Sequence, residues 1–428
     1  MRGREEKFPD RRRAMAERSY RYVIVGSGLA GTSAAQAIRE RDQSGSLLLI
    51  GAEHHLPYDR PPLSKKLWFG QKTLEQVFLH NRTFYDQNNI TLALGARIVG
   101  LDPHRRTLTD AMGREYRYGS LLLATGASPR RLSIPGGDID GVCYFRELDD
   151  YVRMRRQTEP GKSAVVIGGG FIGSEMAAAL NVNKVDVTMI FPGPYLCHRV
   201  FPAALGCALQ RSYQERGINV LCADAPVSID RGKGRFVTRT RAGHEIDSEM
   251  IIAGLGVDAE TALAKNAGLR ISNGVAVDQH LLTSDQSIFA AGDNCSFPYS
   301  ALSKRARIEH WDNAQNQGRC AGRNMTGGWE SYDHLPYFFS DLFDFGYEAV
   351  GETDASLETY CDWQKENHTG VIYYLKAGKV RGVMLCNIFE RVEAARNLIK
   401  KGEKATPQSL RGAIAGPETP QTFELLHH

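Results

Sequence analysis

The 428-residue sequence predicts an α/β fold built from two parallel-sheet units, with a smaller α+β domain at the C-terminal end. Three observations predict this fold. A strand, a glycine-rich turn and a helix follow one another near residue 22, and the same succession recurs 142 residues later. Two adjacent strands and a helix of different character then occur near the C-terminus. A chain of this length ordinarily fills two or three domains, each with its own core.

The first unit begins with an apolar, largely β-branched run at residues 22–25, which is typical of a strand buried in a parallel sheet. A small-residue helix and a second strand, residues 47–50, follow a turn that holds Gly26, Gly28 and Gly31. Glu53 stands 22 residues after the last of these glycines. This pattern is the fingerprint of a dinucleotide-binding turn, in which the helix N-terminus faces the pyrophosphate.

The second unit repeats the pattern: residues 164–167 form a strand, residues 176–180 a helix, and the turn between them contains Gly168, Gly170 and Gly173. One such turn is a weak signal, because a closely packed glycine turn gives the same spacing. Two copies, each between a strand and a helix, predict two Rossmann-like domains and two bound nucleotides.

Two further strands end in features that suit this fold. Residues 121–130 form a buried strand that leads into a glycine turn, and residues 288–293 form another that ends at Asp293. The carboxyl ends of parallel strands face the ligand crevice, so Asp293 is predicted to bind a hydroxylated cofactor chain. The alternative is a capping aspartate.

The C-terminal part predicts paired strands at residues 371–375 and 382–385 and a helix at residues 393–401. The predicted division of the chain is a flexible segment 1–20, a first nucleotide-binding domain 21–138 and 262–333, a second nucleotide-binding domain 139–261, an α+β domain 334–405 and a loosely held tail 406–428.

Composition limits the remaining classes. With 42% hydrophobic and 24% charged residues the chain is ordinary for a soluble globular protein, and a net charge of +4 does not indicate nucleic acid. The eight cysteines form no C-x-x-C pair and no metal-ligand spacing, so we expect no metal and a reducing compartment, the cytoplasm, or the mitochondrion for a eukaryotic source. No apolar run is long enough to span a bilayer, and we expect no signal peptide.

The order of the ATG segment (124–126), the second fingerprint and the AGD segment (291–293) resembles the pyridine-nucleotide flavoprotein reductases. Longer segments resemble the apoptosis-inducing-factor branch of that family: LPYDRPPLSKKLWF (56–69), GGGFIGSE (168–175), RIEHWDNA (307–314), FFSDLFDFGYEAVG (338–351) and NIFERVEAARNLIKKGE (387–403). Ferredoxin reductases share the RPPLSK segment. The resemblance implies FAD at the first fingerprint and NAD(P)H at the second.

The resemblance also implies roles for single residues. Glu53 would bind the ribose hydroxyls of FAD, Lys65 would lie at the flavin N5 edge paired with Glu175, and Phe171 would cover the flavin and stack on nicotinamide. Taken alone, Lys65 would be a solvated surface lysine. The full implied set of binding residues is Gly26, Gly28, Leu29, Ala30, Gly31, Glu53, Arg60, Lys65, Ile98, Ala124, Thr125, Gly126, Arg130, Gly168, Gly170, Phe171, Ile172, Gly173, Glu175, Gly256, Gly292, Asp293, Glu309, His310, Trp311, Phe339 and Glu348.

Some positions depart from the family pattern. The strand of the second fingerprint runs through residues 189–193 without the acid that NADH-preferring members place there, while His198 and Arg199 could meet a 2'-phosphate. We favour NADH as the donor and keep NADPH as the alternative. Phe339 and Trp311 replace a tryptophan and a histidine of the apoptosis-inducing factors, so the details of stacking and of dimer linkage do not carry over.

Two functions of different classes follow from the resemblance. The first is an enzyme that transfers a hydride from NAD(P)H to flavin N5 and passes electrons to a ferredoxin, a rubredoxin or a quinone. The second is a redox-responsive protein in which NADH forms a reduced-flavin charge-transfer complex that shifts homodimerisation or partner binding; the C-terminal likeness favours it. Disulfide reductase chemistry is not expected, since the first cysteine is Cys143. The Arg-rich residues 2–13 are interspersed with acids and are interpreted as a solvated terminus.

Overall fold

The computed structural model describes residues 18–414. The predicted N-terminal segment and the Arg-rich residues 2–13 lie outside this range, apart from residues 18–20, and so do residues 415–428 of the predicted tail. Among the described residues, no helix has both the length and the apolarity needed to cross a bilayer.

The first part of the chain forms a sheet with a helix on its face. Its strands are β1 (Ser19–Val25), β2 (Leu47–Ile50), β3 (Ile90–Ala93), β4 (Ile98–Asp102), β5 (Thr107–Asp110), β6 (Glu115–Leu123) and β7 (Ala127–Pro129). Its helices are α1 (Leu29–Arg41) and α2 (Arg82–Gln87), with 3-10 turns at Pro61–Ser64 and Glu75–Val77. The strand order is β3-β2-β1-β6-β5-β4, and β1 pairs in parallel with β2 and β6.

The second part forms a parallel sheet and an antiparallel hairpin layer. Its strands are β8 (Val142–Cys143), β9 (Ser163–Ile167), β10 (Asp186–Phe191), β11 (Asn219–Cys222), β12 (Pro226–Gly232), β13 (Arg235–Thr240), β14 (Glu245–Ser248), β15 (Met250–Ala253) and β16 (Val257–Ala259). Its helices are α3 (Leu148–Gln157), α4 (Phe171–Val182) and α5 (Ala203–Glu215), while α6 (Ala262–Asn266) follows β16 and packs against β4 of the first part. The parallel order is β11-β10-β9-β15-β8, while β16 pairs with β7 of the first part.

The chain then returns to the first sheet. This segment contains β17 (Val275–Ala276), β18 (Ile288–Ala290), β19 (Cys295–Tyr299), β20 (Lys304–Ala306), a 3-10 turn at Ser300–Leu302 and α7 (Trp311–Met325). Strand β18 pairs in parallel with β6. Helix α7 packs so closely on α1 that a Cβ at Gly318 would lie 2.2 Å from the carbonyl oxygen of Ala30. Segments far apart in sequence therefore share one core.

The C-terminal part is an antiparallel sheet of order β21-β22-β25-β24-β23 with a helix on one face. Its elements are β21 (Tyr337–Leu342), β22 (Phe345–Gly351), β23 (Glu358–Lys365), β24 (Thr369–Lys376), β25 (Lys379–Cys386), α8 (Val392–Lys401) and α9 (Pro407–Leu410). The two strands and the helix predicted from sequence correspond to β24, β25 and α8. This mixture of parallel and antiparallel sheets confirms the predicted fold class.

The predicted segment boundaries need correction at both ends. Strand β1 begins at Ser19, inside the segment predicted to be flexible, because its backbone pairs with β6 from that residue on. Residues 406–414 are also not loosely held: Leu410 and Ile414 are buried in the core, and the Gly412 amide donates to Asp362 at 2.7 Å. Polar residues at strand ends and single apolar residues in short turns carry no periodic signal, so the sequence did not show either feature.

Candidate functional site

Of the three glycines where β1 leads into α1, only one faces open space. Gly26 has φ +115°, and a Cβ there would lie 2.0 Å from the carbonyl oxygen of Ala124. A Cβ at Gly31 would lie 1.9 Å from the carbonyl oxygen of Gly26, whereas one at Gly28 would meet nothing within 4 Å. Packing therefore requires glycine at positions 26 and 31, whereas Gly28 faces an open cradle that a side chain would fill.

The turn between β9 and α4 has the same design. A Cβ at Gly168 or Gly173 would lie 2.3 Å or 2.0 Å from a backbone oxygen, while Gly170 faces open space. Gly28 and Gly170 are the N-cap residues of α1 and α4, and neither helix has a side-chain cap or an acidic residue in its first turn. The free N–H groups and the positive end of each helix dipole are therefore available to an anion. Both cradles fit the pyrophosphate of a dinucleotide.

A continuous set of ion pairs and hydrogen bonds leads away from the first cradle. Arg60 Nη2 lies 2.8 Å from Glu53 Oε1, and Arg60 Nη1 donates to the Arg146 carbonyl at 2.8 Å. Arg146 Nη2 in turn lies 2.8 Å from Asp293 Oδ2. Tyr58 Oη donates to the other oxygen of Glu53 at 2.6 Å. The structure thus brings Glu53, Arg60 and Asp293 together, through an arginine that sequence reasoning missed.

The other residues predicted on this side lie around the same carboxyl edge of the sheet. Leu29 and Ala30 open α1, and a Cβ at Gly292 would lie 3.1 Å from Cβ of Ala30. Residues 124–126 follow β6, where the Ala124 amide donates to the Val25 carbonyl at 2.8 Å. Ile98 begins β4, shortly after Gly95, whose amide donates to the Glu53 carbonyl at 2.8 Å.

Arg130 and Gly256 lie where the two parts of the chain meet. Arg130 Nε lies 2.9 Å from Asp258 Oδ1, and its amide donates to the Gly256 carbonyl at 3.0 Å. Both side chains of the pair are largely exposed, so the ion pair contributes little to stability. Breaking this ion pair costs little free energy, so Arg130 is available to bind a ligand.

Lys65 is buried beside Glu175 rather than solvated. Its Nζ lies 3.0 Å from Glu175 Oε1 and donates to the Phe339 carbonyl at 3.2 Å, and the Phe339 ring centroid is 4.7 Å away. The side chains of Lys65 and Glu175 are 7% and 6% exposed. Lys65 follows the Pro61–Ser64 turn of the first part, while Glu175 lies on the helix that starts at the second cradle. The ion pair therefore joins the two nucleotide-binding parts.

An aromatic cluster surrounds the first residue of α4. The ring of Phe171 lies 5.3 Å from that of Phe338 and 6.2 Å from that of Tyr347, measured between centroids. His310, the N-cap of α7, lies 4.4 Å from Phe338. Ile172 follows Phe171 at the exposed start of the helix. Phe171 and His310, predicted from one motif each, are thus brought together by a phenylalanine that sequence reasoning did not single out.

Three carboxylates near this cluster are less readily ionised than usual. Burial raises the pKa of Glu309, which pairs with Arg307, and the pKa of Glu348, which stands opposite Phe339 on the neighbouring strand. Burial likewise raises the pKa of Asp59, which accepts a hydrogen bond from Trp311 Nε1 at 2.7 Å. These three carboxylates therefore lie in surroundings that are partly shielded from water.

His310 makes the stability of the flavin-free protein depend on pH. Burial lowers its pKa to about 4, whereas an unfolded chain binds this proton below about 6.5. The free energy of unfolding should therefore fall as the pH drops from about 6.5 to about 4, because the unfolded state binds a proton that the folded state does not bind. We expect His310→Gln to remove up to about 3 kcal/mol of that loss. Denaturant unfolding at a series of pH values measures it, and an unaltered pH slope in the variant would contradict it.

The second cradle has no acidic residue at the end of its second strand. Phe191 stands there, and its ring lies directly beneath the turn, where a Cβ at Gly169 would be 2.6 Å from it. A cavity of about 520 Å³ opens beside the loop that follows, lined by Tyr195, His198 and Arg199 and by residues 353–356 of the C-terminal part. The absence of the acid, noted in the sequence, is thus accompanied by a basic side chain at an accessible cavity.

The cysteines do not form a redox pair in this structure. All eight are free thiols, and burial raises the pKa of Cys143 to about 11 and that of Cys197 to about 12. A thiol with so high a pKa is a poor nucleophile at neutral pH. Within residues 18–414, no group of three or more His, Cys, Asp or Glu side chains is placed to hold a metal ion.

Sequence reasoning missed several residues that complete the site. Ser64 and Ser340 donate hydrogen bonds to Glu175, and Arg146 pairs with Asp293. Both serines lie inside segments that carried the family resemblance, so they could have been named from it. Arg146 lies in no motif with a mechanistic reading, and only the fold places it beside Asp293.

Comparisons with known proteins agree with this geometry. Residues 20–318 match the family described as pyridine nucleotide-disulphide oxidoreductase, and residues 321–369 and 361–401 match the C-terminal domain of mitochondrion-associated apoptosis-inducing factor. The ferredoxin–NAD(+) reductase component of the anthranilate 1,2-dioxygenase system of Burkholderia cepacia is 33% identical over 93% of this chain and 98% of its own length. Monodehydroascorbate reductase 3 of Arabidopsis thaliana is 32% identical over 86% of this chain and 90% of its own length.

A solved structure is similar across nearly the whole chain. Putidaredoxin reductase in its covalent complex with putidaredoxin superposes with a TM-score of 0.86 and 27% identity, covering 91% of this chain and 95% of the other. The predicted resemblance and the two predicted cofactors are confirmed. The chain belongs to the pyridine nucleotide-disulphide oxidoreductase family, as an oxidoreductase that uses FAD and a pyridine nucleotide.

Proposed function

We propose that the protein takes electrons from NADH through FAD and delivers them to a small iron–sulfur protein. The observation that carries this proposal is the Lys65–Glu175 ion pair, buried at the junction of the part that holds the first cradle and the helix that opens at the second. A nucleotide in each cradle would direct its reactive ring towards this junction. FAD, when bound, would accept a hydride from the nicotinamide and release the electrons singly.

The side chains at the junction have simple tasks in this proposal. Lys65 would place a fixed positive charge where negative charge develops on reduction, and Glu175 would hold the ammonium group in position. Phe171 and Phe338 would exclude water and give the rings a flat apolar surface. His310, neutral above about pH 4, would add no charge of its own.

The acceptor is proposed from the relatives. The Burkholderia relative is named for ferredoxin, and the superposed reductase was solved with putidaredoxin. The Arabidopsis relative is named for monodehydroascorbate, and a quinone is a further alternative. Stopped-flow mixing under anaerobic conditions tests the proposal: rapid flavin reduction by NADH followed by rapid ferredoxin turnover supports it. Turnover with monodehydroascorbate or a quinone, but not with ferredoxin, would contradict the acceptor assignment.

A second candidate function rests on the C-terminal match at residues 321–401. In it, NADH produces a stable reduced complex that changes homodimerisation or partner binding, and turnover is secondary. A persistent long-wavelength band with slow reoxidation, together with a change in sedimentation on adding NADH, supports this candidate. Fast reoxidation and unchanged sedimentation favour the reductase.

The choice of nucleotide depends on the cavity beside the second cradle. We propose NADH, in agreement with the Burkholderia relative's name, although Arg199 lines the cavity and has no acidic partner among the described residues. Arg199→Ala should therefore leave the apparent affinity for NADH within about twofold, because a diol makes no charge pair with arginine. If the protein prefers NADPH instead, the same variant should lose about tenfold or more in affinity for NADPH alone. Anaerobic titration with each nucleotide, followed by absorbance, measures both; equal reduction by the two nucleotides contradicts the preference for NADH.

A further inference from the structure

We propose that Ser64 and Ser340 are positioning residues that fix the carboxylate of Glu175 and, through it, the ammonium group of Lys65. This inference rests on the proposed function, because it assigns that ion pair to the flavin side of the site. It adds two hydroxyl groups, one from the first part of the chain and one from the C-terminal part, to the groups that set how readily the flavin accepts electrons.

Both oxygens of the Glu175 carboxylate have partners. Ser64 Oγ donates to Oε2 at 2.5 Å, Ser340 Oγ donates to Oε1 at 2.5 Å, and Lys65 Nζ lies 3.0 Å from the same Oε1. The exposed fractions of the whole residues are 4% for Ser64, 1% for Ser340, 5% for Glu175 and 6% for Lys65. Water therefore has little access to replace a hydroxyl that is removed, so each serine fixes one oxygen of the carboxylate and prevents its rotation.

The donors and the acceptor come from three separate parts of the chain. Ser64 ends the 3-10 turn that precedes Lys65, Glu175 lies on α4, and Ser340 lies in the middle of β21. The residue before Ser340 is Phe339, whose carbonyl accepts from Lys65 and whose ring lies against the same ammonium group. Strand β21 thus contacts both members of the ion pair, one through a hydroxyl and the other through a carbonyl and a ring.

Removing either serine hydroxyl should change the electrostatic potential around Lys65 in a known direction. The O–H dipoles place partial positive charge beside the carboxylate, so their loss makes the surroundings of Lys65 more negative. A carboxylate that is free to rotate also holds the ammonium group less firmly. Both changes disfavour negative charge on the reduced flavin, so the midpoint potential should fall. We expect the flavin reduction rate to fall about tenfold or more, which corresponds to a rise of about 1.4 kcal/mol in the activation free energy.

The test uses Ser64→Ala and Ser340→Ala in the FAD-loaded protein, with Ser340→Thr as the variant that retains the hydroxyl. Ser248→Ala is the matched control, because Ser248 is equally buried but lies on β14. The readouts are the midpoint potential, the rate of reduction by NADH, the nucleotide affinity, and amide exchange in β21 with and without FAD. We expect both alanine variants to lower the potential and the rate with unchanged nucleotide affinity, and Ser340→Thr to restore them. Ser340→Ala should also speed exchange in β21.

The outcomes separate this inference from the proposed function. If Lys65→Met lowers the potential but the serine variants behave like Ser248→Ala, the serine assignment is overturned and the proposed function stands. A rise in the midpoint potential of the serine variants also overturns the serine assignment, because losing the partial positive charge of the hydroxyl groups should lower the potential. If Lys65→Met itself leaves the potential unchanged, the ion pair does not act on the flavin, and both proposals fail.

Discussion

Replacing Lys65 with methionine should slow the reduction of bound flavin by NADH about a hundredfold or more, while the FAD content stays close to that of the unaltered protein. The expected effect is large because Lys65 is the cation that lies within ion-pair distance of Glu175 in the described residues. Methionine keeps an unbranched side chain, one atom shorter than lysine, and removes the charge and the donors. Stopped-flow absorbance measures the rate, and the ratio of flavin to protein absorbance measures the content.

The same substitution should also destabilise the fold, and a second variant separates the two effects. Without Lys65, the buried carboxylate of Glu175 has no compensating charge, which typically costs about 3–5 kcal/mol. Adding Glu175→Gln to Lys65→Met removes that charge, so stability should largely return while the reduction rate stays low. Unchanged reduction kinetics in Lys65→Met would remove the ion pair from the mechanism; recovery of the rate in the double variant would show that the loss came from the fold.

Much of this arrangement could be predicted because its signals are local. The two glycine turns carry their own strand and helix in adjacent residues, and the acid at Glu53 follows at a fixed distance. The structure contains each predicted strand and helix, but α1 and α4 begin earlier than predicted, so Gly31 and Gly173 lie in the first turn of each helix. Local patterns of this kind are determined by backbone sterics and by the burial of one face of a helix or strand. Both can be recognised within a short stretch of sequence.

The features that could not be predicted depend on contacts between distant segments. Ser340 reaches Glu175 across 165 positions of sequence, and Arg146 reaches Asp293 across 147. A single serine or arginine gives no periodic pattern in the sequence. Its hydrogen-bonding partner depends on how the sheets pack together in the fold. For Lys65 the residues alone favoured a solvated side chain, and only the packing of β21 and α4 against it explains its burial.

Gly28→Ala should abolish FAD retention, and Gly170→Ala should leave FAD bound but abolish reduction by NADH at ordinary concentrations. Both glycines have negative φ and meet no protein atom where a Cβ would stand, so alanine disturbs neither the turn nor its packing. The added methyl group occupies the space into which a pyrophosphate must fit. Affinity for the nucleotide concerned should fall about a hundredfold or more, which corresponds to about 2.8 kcal/mol. Flavin absorbance of the purified protein and NADH titration measure the two effects.

Two controls make the glycine variants informative. Gly232→Ala introduces the same methyl group into open space at the end of β12, and it should alter neither FAD content nor reduction. Gly26→Ala should instead prevent folding, since its Cβ would lie 2.0 Å from a backbone oxygen at a φ of +115°.

If the two cradles act independently, the flavin in Gly170→Ala should still be reduced by dithionite, because only the route from the nicotinamide is blocked. Loss of FAD from this variant would contradict the assignment of separate nucleotides to the two turns. Retention of FAD in Gly28→Ala would contradict it equally, because the first cradle would then hold no pyrophosphate. Both variants add one methyl group and change no charge, and neither methyl group meets a protein atom, so their opposite responses test which nucleotide each turn binds.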